Sequence, residues 1–300
     1  MRIVIAGATG FLGRALVSAL ARERHDMVVL SRRDSALPGT RTVIWNPDGS
    51  ASDWARAIDG TDAVINLAGE PIAGTRWTAA VKARIRSSRV DATRSLASAI
   101  AGAAQPPRVF VSGSAVGYYG SRGDERLTES SSPGQDFLSD VCVAWEREAV
   151  AARSPRTRVV LLRTGLVIGR GGGALQPMLL PFRLGVGGPL GSGRQYWPWI
   201  HLDDWVAMVC WALTAPRLDG PLNVTAPEPV TNAAFTRALG RALHRPAVLP
   251  APAFALRLAL GEMADALLLS GQRAVPERAL QEGFVFGQPE LGPALANLVG

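Results

Sequence analysis

Arg2-Ile3-Val4-Ile5-Ala6 is a short run rich in β-branched residues, and Gly7-Ala8-Thr9-Gly10-Phe11-Leu12-Gly13 follows it directly. The first five residues suit a strand. Leu12, Leu16, Val17 and Leu20 then recur at helical spacing. Asp26 to Ser31 reads as a second apolar strand. Together they make a βαβ unit of about thirty residues with its glycines at the turn. The spacing is Gly-x-x-Gly-x-x-Gly rather than the commoner G-x-G-x-x-G. The physical reason for glycine is the same: a tight turn whose backbone amides can approach a pyrophosphate at a helix N-terminus. An ordinary tight βα turn is the plain alternative.

The end of the second strand bears on the choice of cofactor. An acidic residue there would bond the ribose hydroxyls of NAD. This chain has Ser31-Arg32-Arg33, with Asp34 only afterwards. A hydroxyl and a guanidinium suit a 2′-phosphate, since arginine makes charge-assisted, often bidentate bonds to phosphate. The expectation is NADP(H) over NAD. The alternative is that these arginines are merely solvated.

Further strand-like runs lie at Thr42 to Trp45, Ala63 to Leu67, Arg108 to Ser112, Val159 to Arg163 and Leu222 to Val224. Helix-like segments include Thr78 to Ala101, Phe137 to Ala152, and Ala253 to Leu269. The alternation predicts an α/β fold: a Rossmann-type doubly wound parallel sheet with a smaller C-terminal substrate lobe. Residues 1–245 are expected to form the dinucleotide-binding domain, with substrate-lobe insertions at about 170–200. Residues 246–300 are expected to form a C-terminal helical domain. Gly169 to Gly173 reads as a flexible loop, and Gly185 to Gly193 as a mobile cover or a loop hugging a ligand.

The 300 residues are 47% apolar and 19% charged, which excludes disorder as the dominant state. No apolar run is long enough for a membrane span. No secretory signal is read at the N-terminus, and two cysteines make neither a disulfide framework nor a metal site. A cytoplasmic location is the simplest expectation. The formal charge of +7 invites a nucleic-acid reading. Lys82 is the only lysine, the arginines are scattered, and no basic run occurs, so nucleic acid is not expected as a partner.

Several motifs carry a resemblance. Gly7-x-x-Gly10-x-x-Gly13, Asn66-Leu67-Ala68-Gly69, Ser112-Gly113-Ser114-Ala115 with Tyr119-Gly120, and Trp199-Ile200-His201-Leu202-Asp203-Asp204 occur in that order. The chain resembles extended short-chain dehydrogenases/reductases of the NAD-dependent epimerase/dehydratase kind. Arg76-Trp77, Val116-Gly117-Tyr118-Tyr119-Gly120, Gly171-Gly172-Gly173 and Pro227-Glu228-Pro229-Val230-Thr231-Asn232 narrow the resemblance to an uncharacterised subgroup called epimerase family proteins. The resemblance implies that Gly7, Thr9, Gly10 and Gly13 form the phosphate loop, with Phe11 and Leu12 offering amides. Leu67, Ala68 and Gly69 would pass beside the adenosine, Arg89 would face the cofactor, and Leu166 and Val167 would line the nicotinamide. It also implies a small-molecule substrate that the motifs do not name. The tail would complete the substrate pocket or form a subunit contact in a homodimer.

Catalysis in such families uses Ser or Thr with Tyr and Lys. Ser114 fits the hydroxyl position. The Tyr-x-x-x-Lys segment, however, matches Phe137-Leu138-Ser139-Asp140-Val141. Phenylalanine has no proton to give and valine carries no charge. Three readings stand. Another residue supplies the acid, with Tyr119 nominated beside Ser114, and Tyr118, Lys82, Glu70 and Asp136 also in view. Hydride passes to an activated acceptor with water as the proton source. Or the protein binds NADP(H) without turnover, as a sensor or interaction module. Asp203 or Asp204 is expected to cap the helix that follows.

Overall fold

β1 (Arg2–Ala6), β2 (Asp26–Ser31), β3 (Thr40–Ile44), β4 (Ala63–Asn66), β5 (Val109–Ala115), β6 (Arg158–Thr164) and β7 (Gly220–Val224) form one sheet. The order is β7-β6-β5-β4-β1-β2-β3, and every neighbouring pair is parallel. The computed structural model describes residues 1–299. β1 and β4 are buried almost throughout, as strands covered on both faces must be. This is the expected doubly wound α/β fold.

Helices cover both faces. On one side α1 (Phe11–Arg22) contributes Leu16, Val17 and Leu20 to a core shared with Ile3, Ile5 and Ile65. On the other, α2 (Ala79–Gly102) and α3 (Phe137–Val150) bring Leu96, Ile100 and Ala149 against Val4, Val64 and Phe110. Ile3 and Val4 therefore belong to opposite cores, because successive strand side chains alternate between faces. The strand order reverses between β1 and β4, so a crevice opens beyond their carboxyl ends. The turn Gly7 to Gly13 and the loop after Asn66 meet there.

A second lobe carries its own core. Leu166–Gly169 pairs in parallel with Trp199–His201 and antiparallel with Gly172–Gly173. α4 (Gln176–Arg183) follows that hairpin. α5 (Leu202–Thr214) returns to the main sheet, where Trp205 and Met208 join the α1 side. α6 (Asn232–Ala242) supplies Phe235 and Leu239 to a cluster with Trp197 and Leu295. Leu295 lies on α8 (Leu291–Val299), so the end of the tail shares this core. Among the described residues, no helix is long and apolar enough to cross a membrane.

The structure revises three local expectations. Gly169 to Gly173 is not an open flexible loop: it is a tight hairpin whose Gly172 leaves room only for the Phe11 ring. The helix expected from Ala253 to Leu269 is broken in the middle. α7 spans Ala253–Leu260 and ends at Gly261, whose φ of +65° few side chains tolerate, and helical turns resume over Glu262–Ala264 and Asp265–Leu269. Finally, α5 is capped by His201, whose Nδ1 accepts the Asp203 N–H at 3.1 Å. Asp204 instead accepts the N–H groups of Gly287 and Gln288 at 2.7 and 2.9 Å. Its buried carboxylate thus pins the tail across α5.

Asp204→Ala would leave those two amides without their acceptor. We expect a loss of about 1–3 kcal/mol in urea unfolding, together with faster proteolysis around Phe286 and Gly287. Unchanged stability and proteolysis would remove this role from Asp204.

Candidate functional site

The crevice at β1 is shaped by close backbone approach. Gly7 has φ +82°, and a Cβ there would lie 2.5 Å from the Leu67 carbonyl carbon. A Cβ on Gly13 would run into the Gly7 carbonyl oxygen. Both glycines are therefore needed by the protein's own packing. Gly10 differs: a Cβ there would meet only the Gly7 oxygen, at 3.5 Å. Packing does not require glycine at position 10, and the space beside it faces the crevice. Gly10 is also the N-cap of α1, with no side-chain cap and no acidic residue in the first turn. The turn thus offers helix N-terminal amides to a negatively charged group.

Two adjoining cavities flank this turn. One, of about 630 Å³, is lined by Gly7, Gly10, Leu67, Ala68 and Gly69 among others. The other, of about 790 Å³, is lined by Arg14, Arg33, Asp34 and Ser35. Thr9, Ser31 and Arg32 border both. Arg14 is held by its bond to the Thr9 carbonyl at 2.7 Å. Arg32 and Arg33 form no ion pair among the described residues. Arginines 14, 32 and 33 therefore outweigh the one acid, Asp34, and the cavity favours an anion.

Phe11 and Leu12 lie in the first turn of α1, where the Phe11 ring also supports the Gly172 hairpin. The Ala68 N–H donates to the Asn66 Oδ1 at 3.0 Å, which fixes the loop beside the cleft. Arg89 departs from expectation. Its guanidinium donates to the carbonyls of Ile85 and Glu70 at 3.0 and 2.9 Å, lies under Gly69, and borders neither cavity. It braces the loop from behind. Val167 also departs: it is buried in the main core, and its neighbour Leu166 faces open space. That space is a third cavity of about 630 Å³, bordered by Ile72 and Ala73 at the end of the loop that follows β4.

The nominated catalytic pair is sealed inside the protein. Ser114 is 4% exposed, and its hydroxyl donates to Glu146 Oε1 at 2.7 Å. Glu146 is bound by Arg163 through Nε and Nη2 at 2.8 and 2.9 Å. Tyr119 has no exposed surface. Its hydroxyl donates to Asn223 Oδ1 at 2.6 Å and accepts from Arg163 Nη1 at 3.1 Å. Burial pushes its pKa up to about 12. A group so enclosed cannot exchange a proton with a cleft ligand, so the expectation for Tyr119 is corrected. The Tyr118 ring lies under the Arg163 guanidinium at 3.4 Å.

Other nominated acids are also engaged. Asp136 caps α3 by accepting the Ser139 N–H at 2.9 Å. Phe137, where the family tyrosine is expected, packs on Trp77 with ring centroids 5.3 Å apart. Lys82 Nζ sits 4.6 Å from the Phe137 ring centroid and 2.7 Å from Glu262. Val141 is buried. The sequence reading missed Glu146, Arg163 and Asn223. A signal for two of them was present: each charge interrupts an otherwise apolar stretch, Val159-Val160-Leu161-Leu162-Arg163 and Val143-Ala144-Trp145-Glu146.

Comparisons with known proteins agree with this architecture. Residues 3–225 match the model of the NAD dependent epimerase/dehydratase family. Residues 251–298 match a domain of unknown function, DUF1731. The epimerase family protein SDR39U1 of Bos taurus is 43% identical over 305 residues, covering 100% of both chains. The crystal structure of the human epimerase family protein SDR39U1 (isoform 2) with NADPH superposes with a TM-score of 0.90. It is 39% identical and covers 100% of this chain and 99% of that one. A nucleoside-diphosphate sugar epimerase from Corynebacterium glutamicum gives a TM-score of 0.81 at 32% identity, covering 100% of this chain and 58% of that one. On the family match across most of its length and these identities, the chain belongs to the NAD dependent epimerase/dehydratase family.

Proposed function

We propose that this protein binds NADP(H) in the cleft at β1 and works on a small molecule as an oxidoreductase of the extended reductase/epimerase type. One observation carries the reading: an open, uncapped helix N-terminus at Gly10 stands beside arginines that have no acidic partner. A dinucleotide with a 2′-phosphate needs both features at that separation along a βαβ unit. The 39%-identical human relative was solved with NADPH, which supports the same choice.

In this reading Gly7, Thr9, Gly10, Phe11, Leu12 and Gly13 cradle the pyrophosphate through backbone N–H groups. Ser31 and Arg32 bind the 2′-phosphate, with Arg33 and Arg14 adding positive charge nearby. Leu67, Ala68 and Gly69 line the adenosine side. Arg89 positions that loop through the Glu70 carbonyl rather than touching the ligand. Of the two residues nominated beside the nicotinamide, Leu166 takes that place and Val167 supports it from the core. When bound, the cofactor supplies or accepts a hydride. Residues 1–245 carry this site, and the tail from 246 closes the substrate side.

The reaction uses no Tyr-x-x-x-Lys pair, since Phe137 and Val141 stand at those positions. Ser114 and Tyr119 serve as buried supports for the ends of β5 and β6. Any proton moved to the substrate comes from a more exposed group or from water.

Titration of the purified protein with NADPH and NADH tests the reading. Arg32→Ala is expected to weaken NADPH by about tenfold to a hundredfold, the loss of one to two charged hydrogen bonds, and to leave NADH nearly unchanged. Equal loss for both nucleotides would remove the 2′-phosphate role. Failure of the unaltered protein to bind either would overturn the reading as a whole.

Tyr119→Phe separates support from chemistry. We expect thermal stability to fall by about 1–3 kcal/mol, because Asn223 and Arg163 lose a buried partner. NADPH affinity, and any acceptor-dependent oxidation of NADPH, should be retained. A selective loss of turnover with unchanged stability would restore a catalytic role to Tyr119.

A further inference from the structure

The third cavity is chemically unlike the other two. It lies between α4, α7 and the Leu67–Ala73 loop, and Leu166, Met178, Phe182, Trp197, Leu256 and Leu267 are among its walls. Among the described residues, no charged side chain lines it. The nearest glycines do not open it to water. Gly187 packs face-on against the Phe182 ring, and Gly188 packs against the Leu249 backbone, so this wall is formed by close protein contact. A volume of about 630 Å³ is that of a small-molecule site.

Its position ties it to the proposed chemistry. Pro71 borders the polar cleft, and the next residues, Ile72 and Ala73, border the apolar cavity. Leu166, at the end of the loop after β6, faces the same space. A ligand here would therefore lie next to the region assigned to the nicotinamide.

A nucleoside diphosphate does not suit such walls. Its phosphates need arginine, lysine or a helix N-terminus, and an unpaired charge buried against hydrocarbon costs several kcal/mol. The two helices that contribute to the cavity also carry exposed hydrocarbon. Leu180 on α4 and Leu184 just after it are 65% and 68% exposed, and Phe254 and Leu258 on α7 are 73% and 77% exposed. No residue of α7 is buried. Exposed hydrocarbon on the helices that wall a cavity suits a ligand that leaves water readily.

We propose that this cavity is the substrate site and that it takes a neutral, mostly hydrocarbon small molecule, not a sugar nucleotide. The proposal deepens the NADP(H) reading, and it rests on that reading for the word substrate. Binding to the cavity can be measured apart from it.

The probe is N-phenyl-1-naphthylamine, a neutral fluorophore, titrated into the full chain with and without NADPH. Decanal and UDP-glucose serve as competitors. We expect saturable probe binding that decanal displaces and UDP-glucose does not. Ala174→Phe, which fills the cavity, and Leu256→Ser, which makes its wall polar, should each weaken the probe about tenfold or more, equivalent to ~1.4 kcal/mol. NADPH affinity should be unchanged in both. The paired change Phe254→Ser and Leu258→Ser alters exposed α7 residues that do not line the cavity and should leave probe affinity within about twofold, below ~0.5 kcal/mol. Non-saturable binding, displacement by UDP-glucose, or probe loss that follows the α7 surface pair and not Ala174→Phe would overturn the proposal. Probe binding of the expected kind without any NADPH binding would defeat the cofactor reading alone.

Discussion

Arg163 and Glu146 meet in the interior, between the end of β6 and the inner face of α3. Two buried charges are costly to desolvate, and the pair persists only because its hydrogen bonds are nearly complete. Arg163 gives two N–H bonds to Glu146 and further bonds to Tyr119 and the Glu129 carbonyl. Ser114 takes a remaining position on Glu146. Tyr119 passes the network to Asn223, and Asn223 donates to the Val275 carbonyl at 2.8 Å. One ion pair therefore sets the relative placement of β5, β6, β7, α3 and the tail. Ser114, at the hydroxyl position of the family pattern, is thereby held inside this network, whereas Phe137 and Val141 lie outside it.

The parts of this protein that were legible in the sequence are those whose cause is local. The strand Arg2–Ala6 is marked by β-branched residues, and the turn after it by closely spaced glycines, of which Gly13 is demanded by its neighbours Gly7 and Ala8 and Gly7 by the distant Leu67. Strand and helix periodicities gave the doubly wound sheet for the same reason. Boundaries shifted by a residue or two where pairing rather than composition decided them, as at Thr40–Ile44.

What escaped was long-range. The hydroxyl of Tyr119 is fixed by Asn223, 104 residues later, and no spacing rule joins them. Asp204 has the composition of a helix cap, yet its acceptors are used by amides 83 and 84 residues away. Arg89 occupies a position that faces the cofactor in the family pattern, but the Glu70 carbonyl captures its guanidinium. In each case a polar side chain had several local uses available, and tertiary packing chose a distant one. The apolar cavity was equally hidden, since its walls come from the hairpin, α4, the glycine loop and the tail.

The loop from Leu67 to Ala73 borders the two chambers in succession: Leu67 to Pro71 line the polar cavity, and Ile72 and Ala73 line the apolar one. A loop shared in this way can link two ligands thermodynamically. A displacement of the loop that strengthens binding on one side alters the free energy of the other, and the coupling factor has the same size and sign read from either ligand. Arg89, clamped to the Glu70 carbonyl, anchors the polar stretch of that loop, so any such movement starts from a tethered point.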